Sequence, residues 1–140
     1  VAGSDREISK TMLKKEIENK KLSKKIKLLD FIDPVEPLLS TLDLLFVPAI
    51  NEPFGRVLIE SMSVKTPVIA NKSGGHIEII KNNFNGCLCN IDDMKTTLNL
   101  VLEIIKKKDK LKSFTEHAYT FVKERFNYNS HVKNVSYFYN

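Results

Sequence analysis

Only two cysteines occur in the 140 residues, Cys87 and Cys89. They sit two apart in Gly86-Cys87-Leu88-Cys89-Asn90, too few for a disulfide framework and wrongly spaced for a zinc knuckle. Free cysteine packs as a small apolar residue, so their expected place is one face of a buried strand. Unpaired thiols also point to a reducing, cytoplasmic compartment. Glycine and proline are scarce, five of each, and show neither a collagen period nor a low-complexity linker. No apolar run approaches the ~20 residues of a membrane span. The first residues, Val1 to Arg6, lack the basic and apolar regions of a signal peptide. What is present is ordinary: 42% apolar residues, 28% charged residues and a mean hydropathy of −0.21 in 16.0 kDa. That is one domain's worth of chain, long enough to bury a core without staples.

Lysine and arginine outnumber the acids 22 to 17, giving +5. The excess gathers in two places, Asp5 to Lys27, with nine basic residues against four acidic, and Lys106-Lys107-Lys108 with Lys110 and Lys112. Such stripes can meet nucleic acid or an anionic membrane surface. Both lie where apolar residues recur on one helical face, which makes the lysines the solvated side. No aromatic residue interleaves with the first cluster before Phe31, so a stacking groove for single-stranded nucleic acid is not expected.

Short β-like runs alternate with helical ones. Val1-Ala2 reads as the end of a strand, and Asp5 as the cap of a helix to about Leu22 with Ile8, Met12, Leu13 and Ile17 inward. Lys27–Ile32 reads as a strand, and Pro34 as the start of a short helix through Leu38 and Leu39. Asp43–Val47 is a continuous apolar strand of the buried, parallel kind. Residues 55–64 form a helix with Val57, Leu58 and Met62 inward. Thr66–Ala70 is a strand, Gly74-Gly75 turns into a helix over His76–Lys81, and Gly86–Asn90 is the last strand. Leu98, Val101, Leu102 and Ile105 mark one helical face; Leu111, Phe114, Ala118, Phe121 and Val122 mark another, which Val132, Val135 and Tyr139 continue. The alternation implies βαβ units: one α/β domain with a parallel sheet, flanking helices and a helical tail.

In such sheets ligands lie beyond the carboxyl ends of the strands. The loop Pro48-Ala49-Ile50-Asn51-Glu52-Pro53-Phe54-Gly55 stands there. Pro53 keeps Glu52 out of the α region, and Gly55 lets backbone approach a ligand closely. The amides of Phe54 to Val57 are then expected in a first helical turn, where donors lack partners and the dipole favours an anion. Glu60, a turn further on, leans back towards the same place. Carboxylates repel phosphate and accept from hydroxyls, so the combination suits a ligand carrying both, such as a nucleotide sugar. On residue types alone, Glu52 is equally readable as a loop charge and Glu60 as a solvated helix residue.

The stretch Asn51-Glu52-Pro53-Phe54-Gly55-Arg56-Val57-Leu58-Ile59-Glu60-Ser61-Met62 resembles the E-x(7)-E motif of retaining nucleotide-sugar glycosyltransferases of the GT-B fold. Around it, in order, Val1-Ala2-Gly3-Ser4, Leu29-Asp30-Phe31-Ile32, Asp43–Pro48, Thr66–Ala70, Ser73-Gly74-Gly75-His76-Ile77-Glu78-Ile79-Ile80 and Asn85-Gly86-Cys87-Leu88 resemble the C-terminal, nucleotide-sugar-binding domain of that family. The resemblance implies a Rossmann-like domain over residues 1–126, with 127–140 as its helical tail. It implies that Glu60 accepts hydrogen bonds from ribose hydroxyls and that Glu52 meets the transferred sugar near the reacting carbon. Amides from Phe54, Gly55, Arg56 and Val57 would hold sugar and diphosphate, main-chain atoms of Phe31 and Ile32 would edge the base, and Gly74 and Gly75 would shape the wall. The Arg56 side chain is readable either as a phosphate contact or as exposed. His76 is a weaker member of the set, and His117 and His131 fall in helical segments outside it.

The same resemblance implies that an N-terminal domain and the first strand of this one are missing, leaving two half-sheets with exposed edges. The expected activity is hexosyl transfer to an acceptor hydroxyl of a glycan or lipid, by a parent enzyme of which this fragment is inactive alone. No metal or other cofactor is expected: helix amides supply electrostatic stabilisation, and Asp92-Asp93 reads as a helix cap. Expected partners are the donor, the acceptor, the missing domain, a second copy covering the open edge, and a peripheral membrane contact, with no nucleic acid. Two alternatives stand beside this reading: a nucleotide-sugar epimerase of similar fold, and a non-catalytic basic module that binds a membrane surface.

Overall fold

The computed structural model describes residues 9–126, which fall into two compact units divided between Val35 and Glu36. The expected strand at Val1-Ala2, the cap at Asp5, Ile8, and the tail 127–140 with His131, Val132, Val135 and Tyr139 lie outside the described residues.

In the first unit, α1 (Lys10–Asn19) is capped by Ser9, whose Oγ accepts from the Met12 amide at 3.2 Å. Leu13 and Ile17, four apart, share its half-buried face. Met12 was expected with them; one residue earlier is about 100° round the helix, and it is 64% exposed. Lys27–Ile32 is not a strand. Only Leu29 makes a bridge, and one paired residue is not a ladder.

The second unit begins with α2 (Glu36–Leu39), two residues later than Pro34 suggested. Pro37 occupies its first turn, where a missing N–H costs no helical bond. There follow β1 (Leu45–Val47), α3 (Arg56–Ser63), β2 (Val68–Asn71), α4 (His76–Ile79), β3 (Cys87–Cys89), α5 (Met94–Lys106) and α6 (Lys108–Arg125). The strands make one parallel sheet in the order β1-β2-β3, with Leu45 opposite Val68 and Ile69 opposite Cys87. All four residues of β2 are buried, as befits a strand paired on both sides. Among the described residues β1 pairs only with β2. It is shorter than Asp43–Val47 and not enclosed, and Phe46 is exposed.

Alternation along β2 sends Val68 and Ala70 to one face and Ile69 to the other. On the first face they pack with Leu58 and Met62 of α3, Ile79 and Ile80, and Ala118 of α6. On the second, Ile69 packs with Cys87, Cys89, Ile104 of α5 and Phe114 of α6. Both thiols are free and buried on one strand face, and burial pushes their pKa values up. The α6 face is as expected: Phe114 and Ala118 are buried, and Leu111, Phe121 and Val122 half-buried. The α5 face is not. Its buried residues are Thr97 and Ile104, with Leu100 and Val101 beside them, whereas Leu98, Leu102 and Ile105 are exposed. Thr97 goes inward because its hydroxyl donates to the Asn90 carbonyl at 2.8 Å, which removes the cost of burying it.

Among the described residues no helix is long and apolar enough to cross a membrane.

Candidate functional site

Two loops meet at the carboxyl ends of β1 and β2. The first carries Asn51, Glu52 and Pro53; the second carries Ser73, Gly74 and Gly75. The Asn51 amide donates to Ser73 Oγ at 3.1 Å, and the Gly75 amide donates to the Glu52 carbonyl at 2.7 Å. Side chains would keep the loops apart. A Cβ on Gly74 would stand 2.5 Å from Glu52 O, and one on Gly75 would stand 2.7 Å from Pro53 O. Gly74 also has φ +53, the left-handed region where glycine is at home. The two glycines thus set the height of the backbone that carries Glu52.

Asn71 ties the same loops from below. Its Nδ2 donates to Ser73 Oγ at 3.2 Å and reaches the Ala49 carbonyl at 3.5 Å, while its Oδ1 accepts from the Ile91 amide at 3.3 Å. Its sequence signal is a polar residue ending an apolar strand. His76 lies beneath these loops. It is fully buried, its Nδ1 lies 2.9 Å from the Asn71 carbonyl, and it packs under Gly55. A carbonyl only accepts, so Nδ1 carries the proton. Among the described residues its Nε2 has no hydrogen-bond partner. Nothing in the spacing of Gly74-Gly75-His76 announces a buried imidazole.

Gly55 caps α3 in the left-handed region, φ 71° and ψ 42°, with no side chain to satisfy the helix end. The Leu58 amide turns back to the Gly55 carbonyl at 2.9 Å. Arg56 and Val57 are therefore two open first-turn donors, both within the expected set Phe54 to Val57. Phe54 stands outside the helix, 55% exposed, its ring edge-on to Phe126 at 6.3 Å. Glu60, one turn along α3, keeps only 18% of its side chain exposed, and its Oε1 accepts from Arg56 Nε at 2.7 Å. The Arg56 side chain is thus neither idle nor committed to a ligand: it holds the Glu60 carboxylate while its remaining N–H groups face outward, 75% exposed. Glu52 is half-buried.

The second unit therefore brings together Glu52, Gly55, Arg56, Val57, Glu60, Gly74 and Gly75 on two adjoining loops and one helix. Phe31, exposed, and Ile32, half-buried, belong to the first unit. His117 is occupied elsewhere, stacked on Phe84 at 4.1 Å with its Nδ1 3.2 Å from the Phe84 carbonyl. Asp93 caps α5 by accepting from the Thr96 amide at 3.0 Å and the Thr96 hydroxyl at 2.6 Å, and these bonds lower its pKa. Among the described residues no group of three or more His, Cys, Asp and Glu is arranged to hold a metal ion.

A parallel sheet with helices packed on both faces and glycine-tied loops at the carboxyl ends of its strands is that of a Rossmann-like α/β domain. Residues 1–121 match the family Glycosyl transferases group 1, and the chain belongs to that family. It is similar to the uncharacterized glycosyltransferase MJ1607 of Methanocaldococcus jannaschii, 39% identical over 64 residues, which are 44% of this chain and 16% of that protein. Its fold is similar to Anabaena Alr3699/HepE, crystallised in complex with UDP-glucose: TM-score 0.78, 28% identity, covering 84% of this chain and 32% of HepE. It also matches the C-terminal domain of the group 1 glycosyl transferase LpcC from Francisella tularensis, TM-score 0.74 and 24% identity, covering 85% of this chain and 63% of that one. The last likeness shows the fold, that of a GT-B C-terminal Rossmann-like domain. The chain spans about a third of the length of HepE and a sixth of MJ1607.

Proposed function

We propose that this chain is the donor-binding part of a retaining glycosyltransferase that moves a hexosyl unit from a nucleotide sugar to an acceptor hydroxyl of a glycan or lipid. The observation that carries the reading is the α3 end, where two open amides, Arg56 and Val57, lie beside Glu60 in the helix and Glu52 in the preceding loop. The amides and the outward N–H groups of Arg56 suit a diphosphate. The carboxylates suit hydroxyls: Glu60 those of the ribose, Glu52 those of the transferred sugar. Gly74 and Gly75 hold the loop that carries Glu52. The UDP-glucose complex of HepE supports a nucleotide-sugar ligand.

Departure of the nucleoside diphosphate builds negative charge, and fixed donors at the helix end lower the barrier without reorganising. In this proposal they do so without a divalent cation, so a chelator leaves transfer unchanged. Transfer itself belongs to a longer polypeptide, and the 140 residues alone bind the donor without turning it over. Among the described residues one side of β1 is unpaired, and it is then a pairing edge for a second copy; sedimentation as a stable monomer would remove that part.

The test is calorimetry of the chain with UDP, GDP and ADP in turn. One nucleotide binds in preference, and its affinity drops in Glu60→Ala. No heat with any of the three would overturn the reading.

A further inference from the structure

The second apolar face of α5 is unaccounted for by the core. Met94, Leu98, Leu102 and Ile105 are 51%, 53%, 55% and 44% exposed. At 3.6 residues per turn they fall within an arc of about 80° and run for roughly 16 Å along the helix. A surface helix normally presents polar residues there. Continuing round the helix away from the core, the next about 40° holds Lys95 and Lys106, both exposed. Lys107, Lys108 and Lys112 extend the basic end into α6, also exposed.

Of the acids near this face, Asp109 stands exposed beside Lys108 in the first turn of α6, and the others are engaged or remote. Glu103 lies on the far side of the helix and accepts from Lys107 Nζ at 2.6 Å. Asp93 is bound to Thr96 as the helix cap. Asp92 sits at the opposite end from the lysines. The face is therefore apolar along its length, basic along its open flank and most basic at its C-terminal end.

We infer that α5 is an interfacial helix that docks this protein on an anionic lipid surface, with Met94, Leu98, Leu102 and Ile105 entering the acyl boundary and Lys95, Lys106 and Lys108 meeting the headgroups. Charge selects this occupant. A stripe bordered by ammonium groups on long flexible stems fits a phospholipid interface, where lysines extend to the phosphates while their stems cover apolar ground. The contribution of the lysines depends on salt, and that of the stripe does not. The proposal is independent of what the site on α3 binds.

The test is co-sedimentation of the full chain with vesicles of phosphatidylcholine alone and of phosphatidylcholine with phosphatidylglycerol. Binding is expected to the anionic vesicles only, and to weaken as salt rises. Neutralising Lys106 and Lys108 to Gln should weaken it about fivefold for each lysine. Leu98→Asp with Leu102→Asp should abolish it at any salt while leaving a cooperatively folded protein whose nucleotide binding is as in the parent, because both side chains are at least half exposed. Three outcomes overturn the inference: no binding to anionic vesicles, equal binding by the Asp variant, or a wild-type dimer that the Asp variant dissociates with vesicle binding absent in both. The last would make the stripe a self-association face.

Discussion

Replacing Gly74 by Ala tests the claim that the two loops are stacked backbone on backbone. Two costs add. An L-residue at φ +53 costs about 1–2 kcal/mol. The new Cβ would sit 2.5 Å from the Glu52 carbonyl oxygen, where real contacts essentially never fall below 3.0 Å, so the loops must part by at least 0.5 Å. That separation strains the bonds from Gly75 N to Glu52 O and from Asn51 N to Ser73 Oγ, at ~1 kcal/mol for each one lost. The expected destabilisation is about 2–4 kcal/mol. Gly55→Ala supplies the control. Its φ is also positive, +71, yet the nearest atoms, His76 Cδ2 at 3.1 Å and Leu58 Cδ1 at 3.3 Å, already stand beyond 3.0 Å, so the neighbours must give by only a few tenths of an ångström. Gly55→Ala should therefore cost less by roughly 1–2 kcal/mol. Urea denaturation, with the slope checked for constancy, reads the difference. A Gly74→Ala protein as stable as wild type, or no less stable than Gly55→Ala, would refute the stacked arrangement.

Glu60→Ala is expected to weaken binding of the preferred nucleotide by roughly 1.5–3 kcal/mol, the value of a charged hydrogen bond; unchanged affinity removes Glu60 from the site. Arg56→Ala should alter stability by no more than ~0.5 kcal/mol, as for other i,i+4 pairs, while weakening UDP more than uridine; equal weakening of both would separate Arg56 from the diphosphate. Leu58→Ala empties a fully buried position between sheet and α6 and should cost about 3–5 kcal/mol in denaturant, whereas Leu98→Ala on the exposed α5 face should stay within about 0.5 kcal/mol. Asp93→Ala should lower the melting temperature at neutral pH. The folded-state pKa of Asp93 lies below its unfolded value, so its stabilisation is present above that unfolded value and disappears as pH falls through the folded one; a difference between variant and wild type that persists in strong acid would contradict this.

Elements with strong local signals were legible. The runs at Leu45, Val68 and Cys87 became the three parallel strands, and the helix after Gly55 and the α6 face appeared within a few residues of expectation. Failures came where a distant partner decides. Lys27–Ile32 has a strand's composition but only one paired residue, and composition does not disclose pairing. On α5 the sequence offers two apolar faces, and hydrophobicity favoured the one with Leu98, Leu102 and Ile105. The fold uses the other because the Asn90 carbonyl satisfies Thr97. The loop and helix of the candidate site were legible because their residues are local: Pro53, Gly55, Arg56 and Glu60 lie within two turns of chain. The contribution of Asn71 and His76 was hidden, since it consists of bonds to Ala49, Ser73 and Ile91 and packing against Gly55.

The central claim is that the α3 end receives a nucleotide sugar, and backbone NMR on the titrated chain tests it most directly. Adding UDP-glucose should shift the amide signals of Gly55, Arg56, Val57 and Leu58 together with those of Glu52, Gly74 and Gly75, saturating at one ligand concentration for all. Saturating shifts confined to α5 or α6, or none anywhere at concentrations that fill an ordinary donor site, would contradict it.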